Sequence, residues 1–277
     1  MKRLDNSISP DGNVLTLHDI HLERGAKVIL DGLSWRVSRG QHWAVVGPNG
    51  SGKTTMLKVA TGAMWPSSGE VWGLGAKYGR VDLRELRKRI GWVSSALDEW
   101  MLSSEPAIDV VVSGYYATFG IYDKPTEDDR LRASGLLEFL DCGAIAQTRY
   151  DVLSQGEKQK VLIARALMAK AELLILDEAA AGLDLSAREV LLTSIEYIAC
   201  QENAPTLVFV THHIEEIMPS ITHVLVLRGG KVLAAGPKAD ILTGPVLTAA
   251  FGLPIEVDAR HGRFWARVTA HPPQTPK

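Results

Sequence analysis

Short apolar stretches open the chain. Val14-Leu15-Thr16-Leu17, Ser34-Trp35-Arg36-Val37 and His42-Trp43-Ala44-Val45-Val46 stand apart, with the turn dipeptides Arg24-Gly25, Asp31-Gly32 and Arg39-Gly40 between them. That punctuation predicts a run of short strands. Trp43 to Val46 is almost wholly apolar, as expected of a strand covered on both faces. From about residue 96 to 170 the period becomes helical: the apolar residues Leu131, Leu136, Leu137 and Leu140 predict a helix over 128–140, and Val161 to Met168 continues the trend. An apolar strand at Leu173 to Leu176, a helix over about 186–200 and another apolar strand at Thr206 to Val210 follow. Strands alternating with helices in this way predict an α/β fold with a mostly parallel sheet. His223 to Leu227 and Lys231 to Ala235 flank Gly229-Gly230, a hairpin signal, and a second hairpin is expected with Arg260 to Gly262 at its tip. The basic run Arg84, Arg87, Lys88 and Arg89 reads either as the wet face of an amphipathic helix with Leu83, Leu86 and Ile90 inward or as a nucleic-acid contact.

Composition narrows the class. The 277 residues carry 30 Lys and Arg against 32 Asp and Glu, and 46% are hydrophobic. This length supports one or two domains with a sizeable core. A net charge of -2 excludes a generally basic nucleic-acid binder and an acidic tail protein. Nothing approaches the roughly 20 apolar residues of a bilayer span. The start, MKRLDNSISPDG, lacks the apolar core of a secretory signal. Cys142 and Cys200 show no C-x-x-C spacing and are expected to be free, buried thiols in a reducing compartment. The expectation is a soluble intracellular protein with disordered ends at 1–12 and 271–277.

Three segments carry chemistry. Gly47-Pro48-Asn49-Gly50-Ser51-Gly52-Lys53-Thr54-Thr55 matches the phosphate-loop pattern G-x-x-x-x-G-K-[ST]. It follows a predicted buried strand and precedes a helix over 54–61. Its glycines let successive backbone N–H groups face phosphate oxygens, and the helix N-terminus adds partial positive charge. Lys53 would reach the β- and γ-phosphates, and the Thr54 hydroxyl would ligate Mg²⁺. Asp177-Glu178 ends the apolar strand Leu173 to Leu176, where ligands bind in open α/β sheets. Asp177 would hold Mg²⁺, and Glu178 would orient or deprotonate an attacking water. Leu153-Ser154-Gln155-Gly156-Glu157 contains the S-x-x-E capping box of a helix start.

Taken together and in this order, the segments resemble the ATP-binding cassette (ABC) ATPase family, whose signature is Leu-Ser-Gly-Gly-Gln. The resemblance covers roughly residues 14 to 245, about four-fifths of the chain. It implies a P-loop NTPase core with an antiparallel β subdomain and an inserted helical subdomain. The cassette would occupy 13–245, with the insertion at about 96–170 and a C-terminal extension with a hairpin at 246–270. The signature would be Leu153, Ser154 and Gly156, with Gln155 and Glu157 replacing a glycine and the glutamine. The D-loop would be Ala181-Gly182-Leu183-Asp184, and His212 the γ-phosphate sensor. Two such subunits are expected to pack head to tail, with Ser154 and Gly156 of one meeting ATP on the phosphate loop of the other. ATP and Mg²⁺ are the implied cofactors.

The chain departs from the family pattern at particular places. Arg24 stands where an aromatic residue usually stacks on adenine; its guanidinium plane can stack, with Ile29 as an apolar shelf. Ser95 stands where a glutamine usually touches Mg²⁺, and Ala179 where a proline follows Asp-Glu. With the Gln41-His42-Trp43 lead-in and the stretch from Ile90 to Leu97, these features resemble a subgroup related to molybdenum-transport and photorepair ATP-binding proteins. The resemblance implies the ATPase subunit of a transporter, peripheral on the inner face of the membrane, with a separate permease chain. Trp100 and Met101 are either its docking surface or satellite core. The alternative is a soluble, non-transport cassette ATPase or ATP-dependent switch acting on ribosomes or nucleic acid, although no direct nucleic-acid contact is expected.

Overall fold

The computed structural model describes residues 12–94, 104–116, 125–169 and 171–269. Ser95, Trp100 and Met101 lie outside them. The described residues divide into two compact units, one within Gly79–Leu207 and the other made of Gly12–Tyr78 and Val208–Thr269.

In the second unit, β1 (Asn13–Arg24) and β2 (Lys27–Ser38) form a long antiparallel hairpin that turns at Gly25-Ala26. β4 (Ser68–Gly73) adds to the other edge of β1, and β5 (Ala76–Lys77) to β4. The dipeptide Asp31-Gly32 does not end a strand as its composition predicts. Ile20 pairs with Leu33 but Leu22 with Leu30, so β2 carries an extra residue there and Gly32 takes φ +67°. It is a bulge, the other common use of a glycine within a strand. β3 (Trp43–Val46) is buried at every residue. It runs parallel to β8 (Thr206–Val210) through Val208, Phe209 and Val210, and parallel to β9 (His223–Arg228). β10 (Lys231–Pro237) closes the Gly229-Gly230 hairpin against β9. α1 (Lys53–Ala60) follows β3 and packs on β1, β2 and β4. Beyond α7 (Lys238–Ile241) and α8 (Gly244–Phe251), β11 (Ile255–Arg260) and β12 (Arg263–Val268) form the second hairpin.

In the first unit, β6 (Ile90–Ser94) pairs in parallel with β7 (Leu173–Asp177), Ser94 opposite Asp177. The expected amphipathic helix through Ile90 is cut short. α2 covers only Leu83–Arg87, capped by the Asp82 side chain, which accepts from Arg84 N–H at 2.8 Å. The Arg89 carbonyl instead accepts from Glu172 N–H, and Ile90 begins a strand. Leu86 and Ile90 are buried while Leu83 is not. Sheet pairing, available only after folding, overrides the local helical pattern.

α3 (Ala107–Ser113), α4 (Glu127–Phe139) and α5 (Gln155–Met168) pack on one another, and α6 (Leu185–Ala199) packs on α5. The inward face of α4 is Ala133 and Leu137, joined by Leu140, whereas Leu131 is 72% exposed. An i, i+4 pair on one stripe meets α5, and Leu131 falls outside that stripe. Cys142 is buried as expected, but Cys200, at the exposed C-cap of α6, is not.

α3 ends against α5 in close backbone contact. A Cβ on Gly114 would lie 2.0 Å from the Arg165 carbonyl oxygen. Arg165 donates from Nε to Ser113 Oγ at 3.2 Å, and its burial lowers its pKa to about 10, so it stays charged at neutral pH. Gly114→Ala is expected to destabilise the protein by about 3 kcal/mol, since backbone and not a flexible side chain must move. A fall in thermal midpoint, measured by circular dichroism, checks this. An unchanged midpoint would contradict the close approach.

Candidate functional site

The phosphate-loop candidate is built within the second unit. Buried β3 delivers the chain to Gly47, whose φ of +153° and packing leave no room for a side chain: a Cβ would lie 2.3 Å from the Leu227 carbonyl oxygen. Gly50 and Gly52 take φ +76° and +104°. Ser51 N–H donates to the Pro48 carbonyl, and the Ser51 carbonyl accepts from Gly230 N–H at 3.0 Å. The turn is therefore held from inside and from the β9–β10 hairpin. α1 starts on Gly52 with no side-chain cap and no acidic residue in its first turn, so nothing of its own competes for an anion at its N-terminus.

Lys53 is 5% exposed and folds back, donating from Nζ to the Gly47 carbonyl at 2.9 Å and the Pro48 carbonyl at 3.2 Å. The ammonium is thus stored within the loop. Ser51 is 2% exposed, and its Oγ has no hydrogen-bond partner among the described residues. A buried hydroxyl without a partner is costly, and here it lies in a glycine-rich turn beside a lysine. Thr54 is exposed, Thr55 half-buried and Asn49 exposed. The carbonyl of Ile29, a half-buried residue, lies 3.3 Å from where a Cβ on Gly52 would stand. Arg24 is exposed at the β1–β2 turn, its Nη2 3.7 Å from Met64 Sδ.

His212 follows β8, whose end is tied to β3 by Thr211 N–H donating to the Val45 carbonyl. Its ring lies 4.2 Å from that of His213. His213 N–H donates to Thr211 Oγ1, which itself donates to buried Glu216 at 2.5 Å. This chain of bonds fixes the segment after β8.

In the first unit, all five residues of β7 are buried, and Asp177 is 4% exposed. Glu178 is half-buried and adopts φ +54°, left-handed backbone unusual for a side-chain-bearing residue. Its carbonyl accepts from Ala181 N–H at 3.0 Å. A strand end that turns sharply on a strained glutamate is a candidate functional position. Asp184 is the N-cap of α6, accepting from Ala187 N–H at 2.8 Å.

Ser154 is the N-cap of α5 in a full capping box. Its N–H and its Oγ both donate to Glu157 Oε2, at 2.8 and 2.7 Å. Gly156 faces Ala187 and Leu183, 3.6 and 3.9 Å from where its Cβ would be. No motif in the sequence marks Lys160, one turn further along α5, which is 8% exposed. The pair Gly229-Gly230 predicts only a hairpin, whereas Gly230 packs on Ile29 and braces the phosphate-loop candidate. The consecutive glycines were the one available signal of that close approach.

Among the described residues, no helix is long and apolar enough to cross a membrane. A family profile described as "ABC transporter" matches residues 30–181, more than half of the chain. The chain is 45% identical over 245 residues to the uncharacterized ABC transporter ATP-binding protein YlmA of Bacillus subtilis, covering 88% of this chain and 93% of that protein. It is 33% identical over 249 residues to the cobalt import ATP-binding protein CbiO of Rhodobacter capsulatus, covering 88% and 86%. The fold matches the dimeric post-hydrolysis structure of the ATP-binding cassette MJ0796 bound to ADP and Pi. That match has a TM-score of 0.70 at 24% identity and covers 80% of this chain and 98% of that one. Family profile, full-length relatives and fold agree: the chain belongs to the ABC transporter family as an ATP-binding cassette ATPase with a P-loop α/β core.

Proposed function

We propose that this cassette binds Mg-ATP on the loop 47–55, dimerises around it, and hydrolyses it to drive a transporter whose membrane-spanning subunit is a separate chain. The observation that carries the reading is the cradle itself. Lys53 is held on the Gly47 and Pro48 carbonyls, beside an uncapped helix N-terminus and the unpartnered Ser51 hydroxyl. Phosphate oxygens are acceptors that suit this donor set. The cassette proper would be 13–245, with the helical insertion at 96–170.

The roles follow from chemistry. Gly47, Pro48, Asn49, Gly50, Ser51, Gly52, Thr54 and Thr55 wrap the phosphates, and Lys53 supplies a mobile charge. The Thr54 hydroxyl and the Asp177 carboxylate are hard oxygen donors suited to Mg²⁺, which takes one or two protein oxygens plus phosphate and water. When bound, the ion offsets charge on the phosphates. Ser95, the other residue expected near the ion, lies outside the described residues. Glu178 accepts the proton of the attacking water, and His212 holds the γ-phosphate. Ser154, Gly156 and Asp184 act from the second subunit, an isologous arrangement in which each copy completes the other's site. The Gln41-His42-Trp43 lead-in and the stretch from Ile90 to Leu97, whose last three positions lie outside the described residues, support a place near the molybdenum-transport and photorepair subgroup. A relative named ModF from Escherichia coli is 35% identical over 198 residues, covering 70% of this chain and 40% of that protein.

The discriminating experiment is affinity purification of the tagged chain from detergent-solubilised membranes. A co-purifying membrane-spanning subunit whose presence raises ATP turnover is expected. Recovery of ribosomes or RNA, lost steeply with added salt, would instead establish the soluble alternative. For the nucleobase, Arg24→Ala is expected to weaken ATP about fivefold by calorimetric titration, the scale of an exposed cation–π contact. Unaltered affinity would remove Arg24 from the site.

A further inference from the structure

A groove of about 300 Å³ runs along one face of α5 from its N-terminus. Ser154, Gly156, Glu157 and Lys160 line it, with Cys142 and Ala187 opposite. Two charges in this groove are unevenly served. The Glu157 carboxylate takes both donors of Ser154, its N–H and its hydroxyl. Lys160, three residues on, is 8% exposed and makes no hydrogen bond or ion pair among the described residues. Its charge is nonetheless felt in the groove, where it partly offsets the upward push of burial on the Cys142 thiol.

A serine hydroxyl has a single hydrogen to donate. While Ser154 gives it to Glu157, it has none for a phosphate. The carboxylate also places negative charge at the helix N-terminus, where a γ-phosphate would repel it. The same carboxylate has an alternative partner one turn away, because glutamate and lysine at i, i+3 lie on one helix face. The Lys160 side chain is largely buried and its ammonium has no carboxylate partner among the described residues, so that pairing supplies one.

We propose that Glu157 and Lys160 are a positioning pair that arms the signature serine: on ATP-driven dimerisation Glu157 releases Ser154 to the γ-phosphate and pairs with Lys160 instead. The inference rests on the reading above, in which Ser154 meets nucleotide on the second subunit. Glu157 acts as a stand-in for phosphate in the open state, and Lys160 is the site that receives it on closure. The groove is not itself an anion site, because Glu157 and the exposed Asp141 share its lining with Lys160.

The test uses the full chain with hydrolysis blocked by Glu178→Gln, and measures by light scattering the ATP concentration that half-converts monomer to dimer. Lys160→Met is expected to raise that concentration about tenfold, and Lys160→Arg to restore it. Glu157→Gln, which keeps an oxygen for the cap but removes the charge, is expected to lower it severalfold. In the Glu157→Gln background, Lys160→Met is expected to have no effect, since no carboxylate then needs a new partner. A purely structural lysine would act equally in both backgrounds, with a matching fall in thermal midpoint, and that result overturns the proposal. So does a midpoint concentration moved by neither single variant. If the parent fails to dimerise with ATP at any concentration, the reading on which the pair rests fails first.

Discussion

The Glu178→Gln variant is expected to bind ATP with affinity close to that of the parent while losing about a thousandfold in turnover. It should also accumulate as an ATP-bound dimer. Glutamine keeps the size and the polar oxygen but cannot accept a proton, and a general base contributes about 10²–10⁴ in rate. Backbone geometry makes the variant a clean one. Glu178 sits at φ +54°, where its carbonyl accepts from Ala181 N–H, and glutamine incurs the same steric penalty there as glutamate. Asp177, buried in β7, is untouched and keeps its proposed place on Mg²⁺. Steady-state phosphate release, nucleotide titration and dimer mass together check the prediction. Turnover equal to that of the parent would exclude Glu178 as the base. Glu178→Gly should relieve the left-handed strain, worth about 1 kcal/mol, and stabilise the fold while still abolishing turnover.

Gly47→Ala is expected to abolish nucleotide binding and to destabilise the second unit by about 3 kcal/mol or more. The new methyl would stand 2.3 Å from the Leu227 carbonyl oxygen and 3.0 Å from Ser51 Oγ. The first is backbone of a buried strand and cannot turn aside, so β3 and β9 must separate or the loop must be rebuilt. Gly50→Ala provides the control. Its φ is +76°, but nothing lies within 4 Å of the added carbon, so only conformational strain of about 1–2 kcal/mol applies. Thermal unfolding and ATP titration of the two variants should therefore separate sharply, although both lie in the same motif. Equal losses would mean that the Leu227 contact is not what excludes a side chain at Gly47.

Much of the site is legible in the residues alone, for a physical reason. A phosphate loop and a capping box are short-range devices whose atoms come from fewer than ten consecutive residues. Gly47 to Thr55, and Ser154 with Glu157, therefore appear at their spacing and fold as that spacing predicts. Strands buried on both faces, such as β3, β7 and β8, announce themselves by unbroken apolar runs. The misreadings are of another kind. Asp31-Gly32 looks like a turn until β1 supplies a partner strand that turns it into a bulge. Ile90 continues a helical stripe until β7 offers a parallel strand. Leu131 fits the helical period yet is exposed, because α5 meets a narrower face of α4.

By itself, then, the amino-acid sequence determined the local chemistry: the glycine-rich turn with its lysine, the acidic strand end, the capped helix starting at Ser154 and the alternation of strands with helices. Tertiary structure alone decided which distant backbones press on that chemistry and which charges go unanswered. Leu227 and Gly230, nearly two hundred residues along the chain from Gly47, brace the loop. Lys160 is buried in a groove lined jointly by the segment from Asp141 to Ile145, by α5 and by α6. Neither fact has a local signature, because close approach and desolvation depend on packing surfaces that do not exist until the elements have met.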